Sequence, residues 1–209
     1  GKSKDAEEQF RKMISMAPDN PTGHYRLGIL YRLTREYDRA VEQFDKALSI
    51  NPKLMDVFTN LVAVLASQEK VDEALARCDR QAEIVGDVPP VQAIVQNLKG
   101  GLHLTQGRMG DAEAAFKAAI DANTDFLRPY FALAQIYLQQ DRQDEAIRQY
   151  EAALAKNPNQ AGPHMMLGTI YEVQKRFDSA VEHYRKALEI EPEFAPAANN
   201  LAYILATEK

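Results

Sequence analysis

Six alanines, Ala6, Ala40, Ala74, Ala112, Ala146 and Ala180, recur at intervals of 34, 34, 38, 34 and 34 residues, and four residues after each stands Phe10, Phe44, Cys78, Phe116, Tyr150 or Tyr184. A period in this range marks a repeat architecture, in which each unit is too small to bury its own apolar face and must stack on its neighbours. Such an array offers surfaces rather than an enclosed pocket. Function is therefore expected on a face of the stack.

Other columns keep the same beat. Leu27, Leu61, Leu133, Leu167 and Leu201 align; the next residues, Gly28, Val62, Ala134, Gly168 and Ala202, are mostly small, and Tyr31, Leu65, Tyr137, Tyr171 and Leu205 follow three further on. Apolar positions three or four apart make each unit a pair of amphipathic helices. Helices approach to about 8–10 Å only where little side chain stands between them. Gly28 or Gly168 is thus expected opposite Ala40 or Ala180, with Phe44 or Tyr184 filling the next layer. Asp38, Asp72, Asp144 and Asp178 are placed just before the second helix of their units, to cap free amides and face the positive end of the dipole. Pro18, Pro52, Pro158 and Pro192 close the units.

The order Leu167-Gly168, Tyr171, Phe177, Ala180, Tyr184, Ala187, Pro192, repeated with variations from Ala6 onward, resembles the tetratricopeptide repeat family over essentially the whole chain. The resemblance implies an all-α fold, a right-handed α-solenoid of stacked antiparallel helix pairs with about five full units and a half unit at each end. The expected divisions of one domain are a half unit 1–20, units 21–54, 55–92, 93–126, 127–160 and 161–194, and a terminal helix 195–209.

Charge and motifs narrow the function. The 209 residues carry a net charge of −5, which argues against nucleic acid or an anionic membrane as partner and for a protein or peptide. No run approaches the roughly 20 apolar residues needed to cross a bilayer, so no direct membrane insertion is expected. The opening Gly1-Lys2-Ser3-Lys4-Asp5 lacks a signal peptide's apolar stretch. The closing Asn199-Asn200-Leu201-Ala202-Tyr203 resembles repeats of bacterial secretion and envelope-associated scaffolds, leaving bacterial cytoplasm and periplasm or envelope both open. Cys78, the single cysteine, sits in the aromatic column and reads as a buried thiol. There is no phosphate-cradling glycine motif, no H-E-x-x-H and no cysteine pair. His24 and His164 share a column with Phe58 and Tyr130 and read as packed helix residues, whereas His103 and His183 have no neighbouring second ligand in sequence. Glu189, Glu191 and Glu193 read as a solvated helix end. No catalytic residue, metal or cofactor is expected.

The third interval breaks the rhythm. Its four extra residues fall near Gly86-Asp87-Val88-Pro89-Pro90, where Pro-Pro is expected to interrupt regular helix. Two registers then compete downstream. Counting back from Ala112 puts Gly100 in the small column but Lys99 in the leucine column; counting from Leu98 restores Val95, Leu98 and Leu102 as apolar positions. The second is expected, because an unpaired buried lysine is costly. It also brings Asn97 into one column with Asn60 and Asn200.

In the family the first helices of successive units line the concave face, so the resemblance implies a recognition groove at their off-core positions. Projection gives Tyr25, Arg26, Ile29 and Arg32, then Asn60 and Asn97. It continues with Arg128, Phe131 and Gln135, then Met165 and Met166, and ends on Asn199, Asn200 and Tyr203. Asparagine offers both a donor and an acceptor to an extended peptide backbone, and methionine adapts to varied side chains. Packing of Tyr25, Ile29, Phe131 and Met166 against the adjacent unit is the alternative. Some family members clamp the C-terminal carboxylate of chaperones with lysines and asparagines; of those positions, Tyr25, Ile29, Asn60 and Leu98 here, only Asn60 agrees.

The ends suggest a second role. Phe10 and Ile14 at one end, and Leu201, Ile204 and Leu205 at the other, offer apolar faces for head-to-tail self-association, unless the chain is an excised part of a longer array. The readings are thus a peptide- or helix-binding scaffold, a self-assembling scaffold, or a helper domain of a longer enzyme or secretion component.

Overall fold

The turn inside each helix pair is built the same way five times. Arg35, Glu69, Gly107, Asp141 and Lys175 adopt left-handed backbone, with φ of 62°, 60°, 69°, 58° and 58°. One residue later an amide reaches back to a carbonyl of the preceding helix: Glu36 to Tyr31 at 2.8 Å, Lys70 to Leu65 at 2.9 Å, Arg108 to His103 at 2.9 Å, Arg142 to Tyr137 and Arg176 to Tyr171 at 2.8 Å. This closure satisfies helix-end carbonyls and outweighs the roughly 1 kcal/mol that a β-carbon costs in this conformation.

The computed structural model describes residues 2–207, which form α1 (Lys2–Met16), α2 (Pro21–Leu33), α3 (Tyr37–Ile50), α4 (Met55–Ser67), α5 (Val71–Val85), α6 (Pro89–Thr105), α7 (Met109–Ala122), α8 (Arg128–Gln139), α9 (Gln143–Lys156), α10 (Ala161–Val173), α11 (Phe177–Ile190) and α12 (Ala195–Thr207). No strand occurs among the described residues. The chain is an all-α helical repeat, as its columns require. It divides into two compact units, one through Ala122 and one from Asn123.

Side-chain volume sets the pairing within each unit. A β-carbon added to Gly28 would meet Cε1 of Phe44 at 2.5 Å, one added to Gly100 would meet Cε1 of Phe116 at 2.6 Å, and one added to Gly168 would meet Cε1 of Tyr184 at 2.5 Å. The glycine column therefore lies directly on the aromatic column. In the first unit Phe44, Phe58, Leu61, Leu65, Cys78 and Val95 are buried in one core. In the second, Leu133, Tyr150, Leu167 and Tyr184 are buried likewise.

The Gly100 contact corrects the register expected from Leu98. Gly100 belongs with Gly28 and Gly168, so Lys99 occupies the leucine column. The cost is met by pairing: Lys99, its side chain 24% exposed, donates to Asp79 Oδ1 at 2.7 Å. The same register takes Asn97 out of the column of Asn60 and puts Leu98 there, half-buried against the core. The insertion is also resolved. Pro89 and Pro90 do not interrupt a helix but open α6, which starts at Pro89. The added length is about one helical turn, so the downstream face is preserved. Gly86 makes the bend before it with φ 60° and ψ −154°, a conformation open only to glycine.

The aspartate column is also relocated. Asp38, Asp72, Asp144 and Asp178 lie within the first turn of their helices, behind Glu36, Lys70, Arg142 and Arg176, which make no side-chain cap. Three of them instead accept a hydrogen bond from a glutamine in the next pair's turn: Gln68 to Asp38 at 2.7 Å, Gln106 to Asp72 at 3.0 Å and Gln174 to Asp144 at 3.3 Å. These bonds tie successive pairs at their turns.

Candidate interaction face

In the first unit the first-type helices α2, α4 and α6 lie side by side, and the side chains expected to face a ligand are distributed between core and surface. Tyr25 does both: its ring centroid lies 6.2 Å from that of Phe44, and its hydroxyl accepts from Asn60 Nδ2 at 3.4 Å. Asn60 also donates to the Asp56 carbonyl at 2.8 Å. Arg26 is exposed and Ile29 half-buried. Arg32 holds a buried Nε with no acceptor among the described residues. Two cavities, of about 630 and 300 Å³, share Thr22 and Tyr25 as walls. The larger is apolar and reaches Leu33; the smaller reaches Lys53 and Asp56. Thr22, Leu30 and Leu33 were not among the expected residues. For Thr22 and Leu33 the signal was the stripe Thr22, Tyr25, Ile29, Leu33 along one side of α2.

The second unit repeats the theme with different chemistry. Phe131 stacks on Tyr150 at 6.3 Å and 29°. Exposed Gln135 donates through Nε2 to the Tyr150 hydroxyl at 2.9 Å. The Tyr184 hydroxyl donates to Glu172 Oε2 at 2.6 Å and accepts from Asn200 Nδ2 at 3.2 Å. Burial and the Glu172 carboxylate push this phenol up to about 12. Met165 and Met166 are half-buried, Arg128 and Asn199 are exposed, and Tyr203 is 63% exposed.

One polar pair was invisible in sequence. His164 and His183, one on each helix of the α10–α11 pair, approach Nδ1 to Nδ1 at 3.0 Å, with Tyr171 stacked on His183 at 5.4 Å. His24 and Gln43 meet at the same places of the α2–α3 pair, 2.8 Å apart. The contact is a bridge between paired helices. Burial first, then His164, holds His183 at about 4. Among the described residues no group of three or more His, Cys, Asp or Glu side chains is arranged to hold a metal. Cys78 is fully buried, and burial pushes its thiol up to about 12. No described helix is long and apolar enough to cross a membrane.

The end residues need one correction. Ile204 is 3% exposed, and Ile14 of α1 packs against α2, where a β-carbon on Gly23 would meet its Cγ1 at 2.8 Å. Both are consumed inside their own units, because each faces the helix already packed beside it. Phe10 and Leu201 are half-buried, and Leu205 is 49% exposed.

Stacked helix pairs that present side chains along their first helices, with polar groups fixed by the neighbouring layer, define a helical-repeat protein. The tetratricopeptide repeat model matches residues 21–54, 60–125 and 131–198. The chain belongs to the tetratricopeptide repeat family. It is 28% identical over 96 residues, 44% of its length, to the Protein STIP1 homolog of Dictyostelium discoideum, of which it spans 17%. The structure of Pseudomonas aeruginosa pilF is similar with a TM-score of 0.68 at 18% identity, covering 97% of this chain and 90% of that one. YrrB, described as a TPR protein with an unusual peptide-binding site, is similar with a TM-score of 0.55 at 20% identity, covering 93% and 98%. At these identities the two structures speak to the fold.

Proposed function

We propose that this chain is a non-enzymatic protein-interaction scaffold whose first-helix faces take an extended segment or a helix of another protein. The observation that carries the reading is the set of carboxamides on those faces. Asn60, Gln135 and Asn200 each point their NH2 group at a tyrosine hydroxyl of the array. That fixes the side chains in advance and leaves their carbonyl oxygens to accept from a peptide's amides, at little further entropic cost. Tyr25, Phe131, Met165 and Met166 beside them supply apolar contact, and Arg26, Arg32 and Arg128 supply donors for backbone carbonyls or acidic side chains. The family match and the peptide-binding description of YrrB support the same class of ligand.

A peptide array tiled from the source organism's proteome, followed by polarisation titration of the strongest segments, tests this. Each of Asn60→Ala, Gln135→Ala and Asn200→Ala removes a hydrogen bond of about 0.5–1.5 kcal/mol, so affinity falls about threefold to tenfold. Retention of full affinity by all three, and by Phe131→Ala, refutes the reading.

A further inference from the structure

His164 and His183 make a contact that the repeat makes differently elsewhere. At the place His183 takes in α11, three residues after the column alanine, α1, α3 and α9 carry Gln9, Gln43 and Gln149. At the place of His164 in α10, four residues before the column glycine, α2 carries His24, and His24 bridges to Gln43 at 2.8 Å. A carboxamide is thus enough to join the two helices of a pair. In the α10–α11 pair a second imidazole stands in its stead and brings a second ring lone pair.

The geometry of that pair is that of a chelate. The two Nδ1 atoms are 3.0 Å apart, with ring centroids at 5.3 Å and planes 34° apart. An ion about 2.0–2.1 Å from each nitrogen would see them about 95° apart. That is the cis angle of tetragonal or octahedral coordination, whereas a tetrahedral ion needs the nitrogens about 3.3–3.4 Å apart. The two rings come from different helices of a packed pair, so their separation is set before any ion arrives. Tyr171, stacked on His183 at 5.4 Å and 27°, holds that ring's face. His164 is buried but His183 only half-buried, which leaves one side of the pair open to water. The neighbouring ammonium, Lys186, is engaged by Glu182 at 2.5 Å.

We propose that His164 and His183 are the two protein ligands of a divalent late first-row transition ion, copper(II) before the others, with water at its remaining positions. Copper(II) heads the affinity order of this row and favours tetragonal nitrogen and oxygen sites. Binding leaves both rings neutral. The proton shared between the Nδ1 atoms moves to Nε2 of its own ring, and both Nδ1 lone pairs turn to the ion by rotation about the soft ring torsion. The ion then joins α10 to α11 in place of the hydrogen bond. The site lies within one helix pair and involves none of Asn60, Gln135 or Phe131, so it stands or falls apart from peptide binding.

Copper(II) titrated into the 209-residue chain at neutral pH, in a buffer that does not bind metal, reads the outcome. One ion per chain is expected, with nitrogen hyperfine structure from two imidazoles in its EPR spectrum and a rise in the thermal unfolding midpoint. His183→Gln rebuilds the bridge seen at His24–Gln43, so the circular dichroism spectrum is kept while copper affinity falls at least tenfold, a loss that even an outer-shell change can produce. His164→Gln is expected to lose as much. Replacing His24 and His103 together by glutamine leaves binding unchanged. A chain that takes up no copper overturns the proposal. So does binding that survives His183→Gln, or that is lost with His24 and His103, since either places the ion elsewhere.

Discussion

In the α10–α11 pair a leucine, Leu167, precedes the glycine that lies on the Tyr184 ring; in the α6–α7 pair a lysine, Lys99, precedes the glycine that lies on the Phe116 ring. A β-carbon on the glycine would meet the facing ring at 2.5 Å in the first pair and at 2.6 Å in the second. The contrast shows which constraint dominates: a ring against a glycine admits no alternative register, whereas the neighbouring column tolerates a cation when the preceding helix supplies a counterion. α5 does so with Asp79, and it carries the small Cys78 where other pairs carry a ring.

The largest predicted effect breaks the regular pair. Gly168→Val forces branched carbon into the Tyr184 ring and is expected to cost about 3 kcal/mol in chemical denaturation. A loss below about 0.5 kcal/mol would show that the ring moves aside freely and that the glycine column does not set the spacing.

The second prediction concerns pH. His183 is neutral in the folded chain down to about 4, whereas an unperturbed histidine takes its proton near 6.5. Over that window the unfolded chain binds more protons, so stability falls as pH drops from about 6.5 towards 4. His164 is shifted in the same direction, by burial first. His183→Gln copies the His24–Gln43 bridge and is expected to flatten this acid limb in denaturation midpoints measured across the window. An unchanged slope would place the acid sensitivity elsewhere.

A smaller effect makes the irregular pair regular. Lys99→Leu restores the leucine column, and the Asp79 it abandons is 63% exposed and readily hydrated. The gain is expected to be about 1 kcal/mol. A loss of similar size would mean that the ion pair holds α5 to α6.

The helix pairs, their columns and the closing prolines were legible because a repeated column states a volume. Alanine six times in register leaves few other ways to pack. The turn conformation was not legible: Arg35, Glu69, Asp141 and Lys175 carry no glycine signal, and the backbone closure that holds them is independent of side chain. The glutamine-to-aspartate bonds and the His164–His183 bridge join residues on different elements, which periodicity along one helix does not relate. Lys99 misled the count because its partner, Asp79, lies on another helix. On the candidate face, exposure was legible for Arg26, Gln135 and Tyr203. The division of Tyr25 and Phe131 between core and surface follows from the rings beneath them, Phe44 and Tyr150. At the ends, apolar periodicity did not separate Ile204, which faces inward, from Leu205, which faces out.

The register through α6 decides which residues the first unit presents beside Asn60, so neighbouring glycines give the most direct test. Gly100 has a ring at 2.6 Å from any β-carbon, and Gly101 has nothing within 4 Å. In chemical denaturation Gly100→Ala is expected to lose about 1–2 kcal/mol, and Gly101→Ala to gain about 0.5–1 kcal/mol. If both substitutions stabilise alike, neither glycine lies on the Phe116 ring, and the account of this face is wrong.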